Sequence, residues 1–207
     1  MSRAVSTTKD KASADQRGFS LVELLISMTI ALVILGAGVA VFSSALSTRS
    51  RESSKTDAIT SAQAALNIMS REIGNSGYGL TDNGLVTDST ATKLHFRTNI
   101  VNNNSTTSDA GEDLVFYLDG SGTNQSVVRH DNNTGETSGI INRISSVNFV
   151  YHVTSSDAGV SADSTVNIIS IILTVNLENV QGQPSGQTVT VTSNVTLRNS
   201  ATMRGQY

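Results

Sequence analysis

This 207-residue sequence contains no cysteine and no tryptophan, a single proline, and aromatic residues at only 4% of positions. Without cysteine there is no disulfide, no thiolate ligand for zinc and no thiol nucleophile. Exported domains often rely on disulfides, so this chain must hold together by packing and sheet hydrogen bonds alone. The scarcity of aromatics makes its core mainly aliphatic. An excess of positive charge is also missing: 14 Lys and Arg stand against 17 Asp and Glu, a net charge of −3. No basic bias points to nucleic acid, and no nucleic-acid partner is expected. Hydrophobic residues make up 38% of the chain, enough for one anchor helix and one modest globular domain.

The apolar residues that are present begin in one block. From Phe19 to about Ala45 the chain is apolar all round, with Leu21, Val22, Leu24, Leu25, Ile26, Ile30, Val33, Ile34, Leu35, Val39, Val41 and Phe42. At 1.5 Å per residue that run crosses a hydrocarbon layer of ~30 Å. One acid, Glu23, lies inside it. A charge in a bilayer costs roughly 3 kcal/mol, so an acid there calls for a partner. Gly36 and Gly38 sit mid-segment; small residues let membrane helices approach closely, and glycine is also simply tolerated in them. Ahead of the block, Arg3, Lys9, Lys11 and Arg17 outnumber Asp10 and Asp15, which favours a cytoplasmic N-terminus. A secretory signal would have a shorter apolar core with its cleavage site after it. The apolar segment is therefore expected to stay on the chain as an anchor, with the remainder outside the cytoplasm.

The helix is expected to continue beyond the membrane. Residues 47–73 lack Pro and Gly, and Ile59, Ala62, Leu66, Met69 and Ile73 recur at steps of three and four, an amphipathic stripe suited to lying on a sheet. Glu52 and Lys55 are spaced to pair weakly. Arg71 and Glu72 read as helix surface. Gly74, Gly77 and Gly79 supply a stop, giving one helix of roughly 80 Å. After Gly79 the period changes to two. Lys93–Arg97, Leu114–Leu118, Gln125–His130, Val147–Val153, Thr165–Leu177 and Val189–Leu197 read as strands. Asp119-Gly120-Ser121-Gly122 reads as a hairpin turn. The centre of Thr165–Leu177 is apolar on both faces, which predicts a strand buried on both sides. Residues 99–112, 131–139, 155–164 and 179–187, the last holding Pro184, read as solvated loops. No internal repeat is evident.

No catalytic constellation emerges, no metal site is expected, and no cofactor is implied. His95, His130 and His152 are scattered over three strands. Asp131-Asn132-Asn133-Thr134-Gly135-Glu136 superficially suggests a calcium loop but lacks the spacing of one; Asp157 and Asp163 flank a similar stretch. Gly77-Tyr78-Gly79 lacks the strand-then-helix setting of a phosphate loop and reads as a helix end.

Arg17-Gly18-Phe19-Ser20-Leu21-Val22-Glu23 resembles the processing and methylation motif of type IV prepilins and type II secretion pseudopilins. The resemblance implies cleavage by a prepilin peptidase between Gly18 and Phe19 and N-methylation of Phe19. Glu23, then fifth in the mature chain, would neutralise the N-terminal amine of a neighbouring subunit as it leaves the bilayer. It also implies an α+β, pilin-like fold: a long N-terminal helix, half anchor and half spine, packed on an antiparallel sheet. The expected organisation is a cleaved leader (1–18), a transmembrane assembly helix (19–45), an amphipathic spine and its stop (46–79), and a β-rich domain (80–207). The implied partners are other pilins or minor pilins, the prepilin peptidase/N-methyltransferase and an inner-membrane assembly platform. The implied location is the bacterial inner membrane, single-pass, and then the filament.

Ala65–Ile73 with Gly77-Tyr78-Gly79 is similar to the end of the spine helix in W-type minor pilins. Asn194–Asn199 is similar to the last strand of W-type minor pilins and J-type pseudopilins. Ala40 stands where many major pilins have a kink-forming proline, which favours a minor subunit. Retention of Glu23 argues against the tip pseudopilin class that lacks this acid. The resemblance thus points first to a minor pilin in a priming or tip complex, second to a J-type pseudopilin of type II secretion, and third to an adhesin-like module binding a ligand or DNA through its loops. It does not point to an enzyme.

Overall fold

The computed structural model describes residues 18–101, 106–122, 125–177 and 185–205. The leader up to Arg17 and most of the stretch around Pro184 lie outside the described residues. The chain divides into two compact units, Met1–Leu46 and Ser47–Tyr207. Helix α1 (Leu21–Gly74, 54 residues) supplies the described secondary structure of the first unit and the spine of the second.

In the first unit the helix is exposed on every side. Leu24, Ile30, Leu35 and Phe42 are all solvent-facing, and the hydropathy suffices to cross a membrane by length and composition. Beyond the neighbouring residues and the helix's own backbone, nothing described lies within 4 Å of where a Cβ on Gly36 or Gly38 would stand. A surface this apolar is stable only in lipid or against other apolar helices.

In the second unit, α1 buries Ser54, Ala58, Ala62, Ala65, Leu66, Met69 and Ile73. Ala58 takes the place expected for Ile59, which is only half-buried. The alanines let the helix approach the sheet closely. That sheet has six antiparallel strands in simple chain order: β1 (Lys93–Arg97), β2 (Asp113–Asp119), β3 (Gln125–Asp131), β4 (Glu136–His152), β5 (Ile168–Asn176) and β6 (Thr188–Thr196). Its helix-side face carries Leu94, Phe96, Phe116, Ile144, Phe149, Ile169, Ile171 and Leu173, all essentially inaccessible. Phe96 and Phe116 stack at 5.9 Å between centroids. Arg129 on β3 reaches Glu72 of the spine at 2.9 Å, so Glu72 ties helix to sheet instead of forming free surface. Glu52 and Lys55 are both exposed, and no ion pair joins them among the described residues.

Three differences from the sequence reading have clear causes. First, β5 is buried on one side only: Ile169, Ile171, Leu173 and Val175 are buried, while Ile168, Ser170, Ile172 and Thr174 are half-exposed. Second, residues 131–139 are a tight hairpin. Asp131 pairs with Glu136, and Gly135, at φ 73°, permits a turn that a side chain would strain. Third, β4 runs through residues 140–146, which show no period of two. Irregularities in its pairing with both neighbours, and Arg143 in the left-handed region at φ 59°, shift the phase. Ile141, Ile144 and Val147 therefore all point inward at a spacing of three. A short helix, α2 (Ala201–Arg204), follows β6, capped by the Ser200 hydroxyl accepting from Met203 N.

Candidate functional site

Helix α1 starts where its sequence allows. Ser20 precedes the first helical residue and its carbonyl accepts from Leu24 N at 3.1 Å. Ser20-Leu21-Val22-Glu23 has the S-x-x-E pattern of a helix start, a signal that marks this boundary and went unused in the reading of the sequence. Glu23 lies in the first turn, where the helix dipole favours an acid. Downstream, the apolar environment leaves hydroxyls few partners, and they turn back onto the helix: Ser27 Oγ donates to Glu23 O at 2.7 Å and Thr29 Oγ1 to Leu25 O at 2.9 Å. The Glu23 carboxylate itself has no partner among the described residues. Gly18 and Phe19 precede the helix outside regular secondary structure and are exposed, which leaves them open to a peptidase. The apolar helix, the unpaired acid and the exposed Gly-Phe bond belong to one short stretch.

The segment after the spine and the end of the sheet meet at a partly buried polar hub. Asn199 Nδ2 donates to Leu80 O at 3.0 Å, and also to the carbonyls of Gly77 and Asp82. Arg198 N donates to Gly74 O at 3.2 Å, and Arg198 Nη1 to Asn75 Oδ1 at 2.9 Å. Asn83 Nδ2 reaches Val166 O at 2.9 Å, and Ser76 Oγ donates to Asn83 O at 2.6 Å. The hub demands glycine: a Cβ on Gly84 (φ 73°) would stand 2.2 Å from Arg97 O. Gly77-Tyr78-Gly79 and Asn194–Asn199, separate in sequence, are thus parts of one clamp. It closes the end of the spine onto the end of the sheet.

Each histidine has its own partner. His95 and His130 flank Val115 from either side of β2, and His152 is on β4. His95 is buried, with Nδ1 2.7 Å from Asp88 Oδ1 and Nε2 2.7 Å from Asp113 Oδ1. Asp113 also accepts from Arg97 Nε at 2.8 Å and Asn132 Nδ2 at 2.6 Å. Burial alone would push the Asp113 carboxyl up; the donors Asn132, His95 and Arg97 outweigh it and hold the pKa below the ordinary value. His130 Nδ1 meets Thr137 Oγ1 and His152 Nδ1 meets Asp157 Oδ1, each at 2.7 Å.

The stretches resembling cation loops are occupied by the chain's own N–H groups. Asp157 accepts from the backbone of Thr154, Val153 and Gly159. The Thr154 N–H leads these donors in holding its carboxyl well below the usual range. Asp163 accepts from Thr165 N and Oγ1. Asp131 accepts from Gly111 N and Asn133 N. Carboxylate oxygens committed to donors in this way are poorly set to coordinate a cation, and among the described residues no cluster of acids and histidines has metal-holding geometry.

Residues 13–39 match the family model described as the prokaryotic N-terminal methylation motif. The match spans Arg17, Gly18, Phe19, Glu23 and most of the apolar run, and supports a type IV pilin-like precursor anchored by its N-terminal helix. The helix-on-sheet architecture of the second unit is pilin-like in the same sense. No curated protein and no solved structure matches the chain.

Proposed function

We propose that this chain is the precursor of a minor pilin that helps to initiate a type IV pilus. A prepilin peptidase cuts between Gly18 and Phe19, the new amine of Phe19 is methylated, and the helix holds the subunit in the inner membrane with its β domain outside the cytoplasm. The partners are other pilins, through the N-terminal helix, and an inner-membrane assembly platform. The role is structural and involves no catalytic step.

The observation that carries this reading is Glu23, an unpaired acid in the first turn of a helix otherwise apolar on all sides, within the methylation motif. Alone, its charge is costly in lipid. Opposite charges in a low-dielectric setting attract strongly. A neighbour whose N-terminal amine lies at the right axial offset satisfies Glu23, and a neighbour out of register does not. Glu23 therefore acts as a register device. Glu23→Ala should still insert and still be processed, yet enter filaments at least about tenfold less often, equivalent to ~1.4 kcal/mol of lost coupling. Quantitative immunoblotting of sheared filaments against membranes measures this, and normal incorporation would sink the assignment.

The second reading, a pseudopilin of type II secretion, is favoured by the similarity of Asn194–Asn199 to J-type subunits. Deletion of the gene separates the two: loss of surface pili supports the first, loss of protein secretion with intact pili the second. Nothing in the described residues favours the adhesin-like or DNA-binding reading.

A further inference from the structure

The two edges of the sheet differ. The outer edge of β1 is covered by the preceding segment: Val86 N donates to His95 O at 3.0 Å, Arg97 N to Gly84 O at 2.7 Å, and Thr90 N to Lys93 O at 2.7 Å. Among the described residues, nothing pairs with the outer edge of β6. Leu197 N donates to Asn167 O and Leu177 N to Gln187 O, in the same register as the β5–β6 ladder. Hydrogen-bonded pairs alternate in an antiparallel ladder. Val189, Val191, Ser193 and Val195 therefore turn their backbone groups to β5, and Thr190, Thr192 and Asn194 turn theirs outward. None of those outward backbone groups has a partner among the described residues.

This edge also lacks every usual protection. Its sequence, TVTVTSNVT, has no charge and no proline, and its pairing with β5 runs without a bulge from Thr188 to Thr196. We infer that the open edge of β6 docks an extended, uncharged strand of a different polypeptide, which continues the sheet by β-augmentation.

Side-chain faces set the chemistry of that strand. Residues beside Val189, Val191 and Val195 are apolar; those beside Thr190, Thr192 and Asn194 are Ser, Thr or Asn, because paired strands share faces. A second copy of this chain does not fit. Head-to-tail pairing needs a free β1 edge, which is covered. Antiparallel β6–β6 pairing reverses one domain, although both copies leave the same membrane in the same direction. That step rests on the anchoring in the proposed function and not on the filament. Parallel β6–β6 pairing turns one sheet over and sets valines beside threonines.

The test is binding of a fluorescent peptide with the sequence Thr188–Thr196, which has the required alternation, to the full chain in detergent micelles, followed by anisotropy. Thr192→Pro removes only an outward N–H and spares the bonds to β5; Thr192→Ala keeps that N–H. Saturable binding is expected, weakened about tenfold or more by Thr192→Pro and unchanged within about twofold by Thr192→Ala. Should Thr192→Pro melt early, Thr192→Lys, which charges the edge and keeps the β5 ladder, must show the same loss. Absence of binding, or equal binding by wild type and edge variants, overturns the inference. Disulfide-linked dimers of a Thr192→Cys chain in native membranes overturn the choice of occupant. N-terminal processing is unaffected by any of these variants, so failure here leaves the precursor assignment standing.

Discussion

At the scale of single residues, the chain separates groups without a partner among the described residues from groups already satisfied. Glu23 belongs to the first class; His95, Asp113, Asp157 and Asn199 belong to the second. With both His95 nitrogens 2.7 Å from carboxylate oxygens, the cluster works as a strut between the segment before β1, β1 itself and β2. Asp113→Asn should destabilise the domain by about 1–3 kcal/mol, because buried donors lose their charged acceptor. The pH dependence has a definite sign. The folded pKa of Asp113 lies below its unfolded value near 3.9, so its contribution is present above about pH 4 and is lost as pH falls through the lowered folded value. Urea midpoints of full chain in micelles at pH 7, 4 and 3, read by tyrosine fluorescence, should show a flatter acid limb in Asp113→Asn; an unchanged limb would remove Asp113 from the account. The sequence marked His95 as an ordinary strand residue and gave no sign of Asp88 or Asp113 as its partners. These residues meet only when the 85–92 segment folds back along β1, a long-range event without local pattern.

At the scale of elements, legibility followed periodicity. The spine helix was visible because Ala62, Leu66, Met69 and Ile73 recur at helical spacing. β1, β2 and the end of β4 were visible because Leu94/Phe96, Leu114/Phe116 and Val147/Phe149/Tyr151 alternate or cluster. Residues 140–146 were not, since two irregularities replace a period of two by a period of three around the left-handed Arg143. β5 misled for a different reason. Ile168 and Ile172 are apolar, yet they lie on the face away from the helix, among Ser170 and Thr174, where a meander sheet has no second layer. The consequence is testable. Leu173→Ala, emptying a fully buried site, should cost about 2–5 kcal/mol, whereas Ile172→Ala, on the half-exposed face, should cost less than about 1.5 kcal/mol. Similar losses at both positions, measured as shifts in urea midpoint, would mean that something covers the outer face.

At the scale of the whole molecule, the chain combines a helix that lipid or neighbouring helices must cover with a domain closed by its own clamp. The clamp explains how a domain without cysteine stays shut: Asn199 bridges the carbonyls following the spine, and glycines at 77 and 84 make room for it. Both clamp segments stood out in the sequence as separate similarities to minor pilins; that they form one structure needed the fold. The anchor and the motif were legible from Gly18 to Phe42, because an apolar run with Glu23 as its one charge is a strong local signal. Which machine uses the subunit is not a physical property of the chain, since a pilus and a pseudopilus exploit the same helix. The central claim is therefore the processing itself, and mass spectrometry of the mature N-terminus, in cells with and without the prepilin peptidase, tests it most directly. The account predicts peptides beginning at N-methylated Phe19, present only when the peptidase is. An N-terminus at Met1 in peptidase-positive cells, or a cut elsewhere, would contradict it and leave a plain membrane-anchored β domain.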